Sequence, residues 1–356
     1  MTPRVVHVAS GREWRGGQRQ VWLLARELAR LEVPQIVVTG REGALAERLR
    51  QDGVPVRGVT WNAGLDPRVL PGLVAELRAR PSLVHAHDGH AVSLGGIAAV
   101  FCGRPLVATR RVDFHLRGRG FWGRAARVIA ISEAVARVLI QDGIAPKRIS
   151  VVHSGIALDQ VRRTTRLGIR QRLGIDGDAM VAANVAALVA HKDHATLLRA
   201  AGMLRDPLPS LHWVIAGEGS ERPALERLRA ELKLDRRVHL LGHIGEPASL
   251  IADANCFVMS SREEGLGTSV LEAMALGIPV ASTTAGGLPE MLHDGAGLLV
   301  PPGDPAALAS ATERLLRDPG LARDIVKKAE RRVEQFTAAR MAEAVRSVYR
   351  SLATFP

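Results

Sequence analysis

The sequence predicts an α/β protein built from two doubly wound parallel sheets, and three observations carry that prediction. From residue 4 onward, short apolar runs of four to seven residues alternate with longer segments of helical period, the pattern of βα units. The alternation lapses in a polar, Arg-rich stretch at 153–172 and then begins again. The length of 356 residues suits two domains, each able to bury its own core. The expected division is 1–160 and 161–335, followed by a terminal helical segment, 336–356.

The first strand is expected at 4–9, where Arg-Val-Val-His-Val-Ala opens the series. Further apolar runs place strands at 35–39, 54–59, 83–87, 105–109, 127–131 and 148–152. Helix-period segments lie between them at 17–31, 44–51, 68–79, 89–100 and 132–141. In the second half, strands are expected at 179–187, 211–216, 237–241, 255–259, 278–282 and 297–300, again separated by helices. Residues 305–352 read as a run of helices, broken by Asp318-Pro319-Gly320 and by Phe336-Thr337.

Composition removes several classes of function. Apolar residues make up 47% and charged ones 24%, as in ordinary globular proteins. Aromatics at 3% are too few for a platform on which single-stranded nucleic acid could stack, and no recognition motif is present, so nucleic acid is not an expected partner. The two cysteines, Cys102 and Cys256, lack the paired spacing of a disulfide framework or a zinc site. No apolar run approaches the ~18–20 residues of a membrane span, and the start reads as a strand and not as a signal peptide, so a cytoplasmic address is expected. The net charge of +12 is uneven: residues 1–160 hold 23 Lys+Arg against 13 Asp+Glu, while 161–356 hold 25 against 23. Such a field attracts nucleic acid, anionic lipid or an acidic substrate, and its sign does not choose among them.

Open parallel sheets bind ligands at the carboxyl ends of their strands, so the chemistry is expected there, in a cleft between two facing domains. Residues 255–290 are the most informative stretch. A strand at 255–259 meets a loop with Glu264, Gly265 and Gly267, and a helix is expected to open near Ser269 with Glu272 in its first turn. Glycines let a ligand approach the backbone, and the free N–H groups of 268–271 favour a diphosphate. Glu272 can accept both hydroxyls of a ribose, and Glu264 the hydroxyls of a second sugar, which suits a nucleotide sugar. Ser269-x-x-Glu272 is also a capping box, in which both residues would only satisfy the helix end. Glu263 reads as a solvated loop charge.

The spacing of Glu264 and Glu272, followed by Ala-Met-Ala-Leu-Gly-Ile-Pro-Val and Gly286-Gly287-Leu288-Pro289-Glu290, resembles the family 4 retaining glycosyltransferases. The likeness extends over nearly the whole chain, through Trp14-Arg-Gly-Gly-Gln18, His85-Ala-His87-Asp88, Ile129-Ala-Ile-Ser132-Glu133, Val151-Val-His-Ser-Gly155-Ile156 and His191-Lys192-Asp193. It implies the GT-B fold, two Rossmann-like domains with the nucleotide held mainly by the second, and a last helix that crosses back onto the first. It also implies transfer with retention and without a metal, and the chain shows no Asp-x-Asp pair at the carboxyl end of a strand to hold a divalent cation between phosphates. A nucleoside-diphosphate sugar is then the donor substrate, and no cofactor is expected.

The resemblance assigns catalytic positions to His87, Lys192 and Glu264. Lys192, a rare lysine at the carboxyl end of a strand, can neutralise charge on the departing diphosphate. An Arg usually stands about five residues earlier in the family, where this chain has Ala187, and His191 and Arg262 are the substitutes considered. His87 is expected beside the reacting carbon and the acceptor, while His85 is placed on the other side of the strand and His90 on the next helix. The donor side gathers Gly16, Gly17, Lys192, His243, Ile244, Glu264, Gly265, Leu266, Gly267, Thr268, Ser269 and Glu272. Gly217-Glu-Gly219 reads as a tight turn. Between 104 and 127 seven arginines face one acid, Asp113, and Arg110, Arg111, Arg117, Arg119 and Arg124 are expected on the acceptor side. They would draw a glycan or lipid-linked, anionic acceptor of the cell envelope, or the anionic inner face of the membrane. The alternatives are a non-hydrolysing sugar-nucleotide epimerase and a catalytically silent nucleotide-sugar-binding protein.

Overall fold

The computed structural model describes residues 3–11, 13–62 and 64–352. The chain divides into two compact units, Met1–Gly155 together with the segment from Thr337 onward, and Ile156–Phe336. The first crossing therefore falls at 155/156 and not at 160/161. The reason is local: Ile156 N–H donates to the Phe336 carbonyl at 2.9 Å, so the second unit closes where its chain enters and leaves.

The first unit opens with β1 (Arg4–Ala9), α1 (Gly16–Arg30), β2 (Gln35–Gly40), α2 (Ala44–Gln51), β3 (Val56–Val59), α3 (Val69–Ala79) and β4 (Ser82–Ala86). It continues with α4 (Gly89–Phe101), β5 (Leu106–Arg110), β6 (Arg127–Ala130), α5 (Glu133–Gln141) and β7 (Ile149–Val151). The strands form one parallel sheet in the order β3-β2-β1-β4-β5-β6-β7. Val5, Val6, Val8, Leu83 and Val84 are fully enclosed, as strands covered on both faces must be. The order reverses between β1 and β4, which is the switch point where such sheets leave a crevice at their carboxyl ends.

The second unit contains α6 (Leu158–Arg162), α7 (Ile169–Leu173), β8 (Met180–Val185), α8 (His194–Met203), β9 (Leu211–Ala216), α9 (Arg222–Glu231), β10 (Val238–Gly242) and α10 (Pro247–Ile251). Then come β11 (Cys256–Met259), α11 (Thr268–Ala275), β12 (Val280–Thr283), α12 (Leu288–Leu292), β13 (Leu298–Val300), α13 (Pro305–Arg317) and α14 (Pro319–Val333). Its parallel sheet runs β10-β9-β8-β11-β12-β13, and the order reverses between β8 and β11. Trp213, Leu197, Leu198, Val258 and Leu308 anchor its core.

The last helix, α15 (Ala338–Arg350), belongs to the first unit, where it packs on α1. Thr337 caps it by accepting from Arg340 N–H, and Gly155 lies so close to Thr337 that any Cβ there would strike the Thr337 carbonyl. Tyr349 is fully buried and its hydroxyl lies 2.5 Å from His85 Nδ1. Among the described residues, no helix is long and apolar enough to cross a membrane.

Candidate active site

The switch point of the second unit brings two distant segments together. Lys192 follows β8 in a 3-10 turn, Ala190–Lys192, and Glu264 lies in the loop after the neighbouring β11. Their side chains meet in an ion pair between Nζ and Oε2, and Ser261 Oγ donates to the same carboxylate oxygen at 3.3 Å. The Lys192 turn is anchored from below: Ser260 Oγ donates to the Lys192 carbonyl at 2.9 Å, and Asp193 caps α8 by accepting from Thr196 N–H. Asp193 holds a left-handed conformation at φ 46°, which a short carboxylate with local hydrogen bonds tolerates better than most side chains. Arg262, considered as a second phosphate cation, donates from Nε to Asp193 at 2.7 Å, and this partner raises its pKa. His191 contributes its carbonyl to Arg262 N–H at 2.8 Å, which ties the two loops together.

The helix beyond Glu264 starts differently from the expectation. Its cap is Gly267 at φ 95°, with no side-chain capping bond, and Thr268 is its first residue. Ser269 and Glu272 therefore do not form a capping box, and Glu272 lies past the first turn, 2% exposed. Only glycine fits at 267: besides the positive φ, a Cβ there would come within 2.8 Å of Leu288 Cδ2. Leu266 is buried, so its side chain belongs to the core and only its backbone can serve a ligand. Gly265 is buried beside it, Thr268 and Ser269 are half-buried, and Glu263 is exposed. The outcome is a helix N-terminus flanked by Glu264 and Lys192, in which the Val270 N–H donates to the Gly267 carbonyl at 3.0 Å.

His243 and Ile244 follow the edge strand β10. His243 is exposed and Ile244 half-buried; just before them the Gly242 carbonyl accepts from Gly217 N–H at 2.8 Å, and Gly217 and Gly219 lie against the Ala186 and Leu188 carbonyls too closely for any Cβ. The turn at 217–219 is thus explained by the close approach of two loops. A surface hollow of about 600 Å³, lined by Arg205, Lys233, Arg236 and Arg237 among others, lies at the amino ends of β9 and β10, away from Lys192 and Glu264.

In the first unit the switch point holds three histidines. His87 is 3% exposed, and its Nε2 lies 2.9 Å from His7 Nδ1 while Arg111 Nη2 lies 3.4 Å from its Nδ1. A guanidinium only donates, so Nδ1 accepts and the His87 proton resides on Nε2, donated to His7. His85 is not on the other side of the strand: residues two apart share a face, and its ring centroid is 4.1 Å from that of His87. Its nitrogens meet Tyr349 Oη at 2.5 Å and Thr109 Oγ1 at 2.7 Å. Burial holds all three imidazoles neutral, with His7 lowered to about 3 and His85 and His87 well below their ordinary range. Ring nitrogens of the three lie within 4.8 Å of one another, the spacing of a metal cluster. His85 would have to release Thr109 or Tyr349 to ligate, however, and the Arg111 charge opposes a cation.

His7 was not singled out from the sequence. It lies in β1, directly opposite His85 in the β1–β4 register, and no sequence signal says that β1 pairs with β4. His90 lies exposed on α4. Gly16 and Gly17 begin α1, where a Cβ on either would meet nothing within 4 Å, so packing does not require them to be glycine.

The arginines divide into two groups. Arg110 donates to the Phe114 carbonyl at 2.6 Å and stacks on Trp122, and Arg111 reaches His87, so both are half-buried and engaged inward. Burial lowers the Arg111 pKa to about 10, against the opposing charge of Asp88. Arg117, Arg119 and Arg124 are exposed. Of the five arginines expected on the acceptor side, three are therefore exposed and two are engaged inward.

Comparison with known proteins fits this geometry. The family model Glycosyltransferase Family 4 matches residues 14–160, and Glycosyl transferases group 1 matches residues 166–332. A D-inositol 3-phosphate glycosyltransferase of Streptomyces avermitilis is 30% identical over 348 residues, covering 89% of this chain and 74% of that one. The lipopolysaccharide core biosynthesis glycosyltransferase LpsE of Rhizobium meliloti is 29% identical, covering 71% of this chain and 63% of that one. Other curated relatives are matched over about half their length, 48% and 53%. Among solved structures, Anabaena HepE in complex with UDP-glucose superposes with a TM-score of 0.87 at 23% identity, over 98% of this chain and 100% of that one. The paired sheets with reversed strand order are those of the GT-B fold, and the chain belongs to the family 4 glycosyltransferases.

Proposed function

We propose that the chain moves a hexose, with retention and without a metal, from a nucleoside-diphosphate sugar to a hydroxyl of a glycan or lipid-linked, anionic acceptor of the cell envelope. The observation that carries this reading is the Lys192–Glu264 pair beside the Gly267-capped N-terminus of α11. The N–H groups at the first positions of α11, Thr268 and Ser269, and Lys192 take the diphosphate, Glu272 takes the ribose hydroxyls, and Glu264 takes the hydroxyls of the transferred sugar. His243 and Ile244 lie against the nucleobase. On the first unit, Gly16 and Gly17 leave open space at the start of α1, where a Cβ on either would meet nothing within 4 Å. Lys192 meets the negative charge that grows on the leaving diphosphate, so no divalent cation is required. His87 serves the acceptor side through Nδ1, exchanging its long contact with Arg111 for a hydroxyl.

Because HepE binds UDP-glucose, that sugar nucleotide is the first donor to test. Purified protein should release nucleoside diphosphate from one member of a panel of nucleotide sugars, unchanged by EDTA, and the product should keep the donor's anomeric configuration by NMR. Interconversion of the nucleotide sugar without release would indicate an epimerase, and binding without either would indicate a silent binding protein. The exposed arginines supply the acceptor test. Arg117→Gln/Arg119→Gln/Arg124→Gln should raise the acceptor KM several-fold and leave donor binding intact, and salt should mimic it by screening. Unchanged acceptor kinetics would remove these arginines from the acceptor site. The working location proposed is the cytoplasmic face of the membrane.

A further inference from the structure

The helix α4 has a surface that the fold does not account for. Its sequence, Gly89-His-Ala-Val-Ser-Leu-Gly-Gly-Ile-Ala-Ala-Val-Phe101, contains no Asp, Glu, Lys or Arg and, His90 and Ser93 apart, is apolar, a composition normally found where a helix is enclosed on every side. Only one side is enclosed. Ala91, Val92, Leu94, Ala98 and Ala99 are buried, whereas Ile97, Val100 and Phe101 are 44%, 67% and 65% exposed. Spacings of three and four place these side chains on one stripe. They are half of the large exposed hydrophobics among the described residues; of the others, Ile140 and Met203 lie on α5 and α8 and Leu65 in the loop before α3.

Cations frame the stripe. The Arg78 guanidinium lies 5.0 Å from the Phe101 ring centroid, and Arg104 is held beside it by donating to the Leu77 carbonyl at 3.3 Å. On the other flank the Phe121 ring lies on Gly96, where any Cβ would strike it, and the Arg124 guanidinium lies 5.7 Å from that ring. The one acid of α3, Glu76, is already bound by Arg4 and Arg57.

We propose that this face of α4 docks on an anionic lipid bilayer, with Ile97, Val100 and Phe101 entering the interfacial region and Arg78, Arg104 and Arg124 lying over the headgroup phosphates. Apolar side chains flanked by arginines match that interface, whose anionic surface attracts each cation. A second copy of the chain fits less well. A two-fold contact would set these arginines against their own copies, and three side chains cover far less area than a stable dimer buries. The inference rests on the membrane-side part of the proposed function and adds the surface that makes the contact.

The test uses the whole protein with vesicles of phosphatidylcholine alone and of phosphatidylcholine mixed with phosphatidylglycerol. Wild type should sediment with the anionic vesicles and not with the neutral ones. Val100→Glu/Phe101→Glu should weaken that binding by about tenfold or more, and Met203→Glu, on the other unit, should leave it unchanged. Arg78→Gln/Arg124→Gln keeps the apolar stripe and should weaken binding while reducing its salt dependence. Donor consumption without vesicles should be the same in wild type and Val100→Glu/Phe101→Glu, which separates failure of docking from failure of the transferase reading. Three results would overturn the inference: no binding of wild type to anionic vesicles, unchanged binding of both double variants, or a wild-type dimer that Val100→Glu/Phe101→Glu dissociates while vesicle binding stays the same.

Discussion

Lys192 and Glu272 carry the sharpest tests at the scale of single side chains. Lys192 is one of five lysines among 48 cationic residues, and the fold sets it against Glu264 at the end of the neighbouring strand. Lys192→Ala should lower turnover by roughly 10²–10³ at saturating donor, as for other groups that stabilise charge in a transition state. Wild-type turnover would remove Lys192 from the chemistry. For Glu272 the competing structural role was the capping box, which the Gly267 cap does away with. Glu272→Gln keeps the shape of the buried side chain but loses one of two equivalent acceptor oxygens, so nucleotide binding should weaken while the melting temperature stays the same. Lost stability with unchanged affinity would make Glu272 part of the scaffold.

At the scale of elements, a buried polar contact joins α15 to the sheet, the Tyr349 hydroxyl at His85 Nδ1. Removing only the hydroxyl leaves a buried ring nitrogen without that partner, a change that costs about 1–3 kcal/mol. Tyr349→Phe should therefore lower the unfolding free energy by that amount, read as a lower denaturant midpoint at an unchanged m-value. An unshifted midpoint would show that α15 is held by apolar packing alone. His85 in turn shares a face with His87, so the same variant probes how the terminal helix braces the histidine cluster.

For the whole molecule, the buried neutral histidines give stability a pH dependence with a definite sign. Burial lowers His7 from 6.5 to about 3 and His194 from 6.5 to about 4, and His85 and His87 move the same way. As pH falls through about 6.5 the unfolded chain takes up protons that the native imidazoles refuse, so the unfolded state binds more protons and native stability declines. The contribution is intact above the unfolded pKa and is lost progressively towards the folded values near 3 and 4. The denaturant midpoint should begin to drop below about pH 6.5, before most carboxylates titrate. A midpoint that stays flat down to about pH 5 would show that these imidazoles are protonated in the native state.

The sequence by itself determined the fold class, nearly every strand and the family, because each was written locally. Period-2 and period-3.6 patterns mark elements from their own residues, and Glu264, the glycines and Glu272 lie within one loop and helix. Two local details escaped it. The start of α11 turned on the φ of Gly267, which capping signals do not reveal, and His85 was misplaced although alternation puts it with His87. What only the tertiary structure decided depends on which strands are neighbours. Lys192 meets Glu264 because β8 adjoins β11, and His7 joins His85 and His87 because β1 adjoins β4. Of five arginines grouped by charge, two turn inward once Phe114, Trp122 and His87 are set beside them. The physical reason is that strand order is settled by the packing of the whole sheet, while the signals in a sequence reach little farther than one turn or one strand.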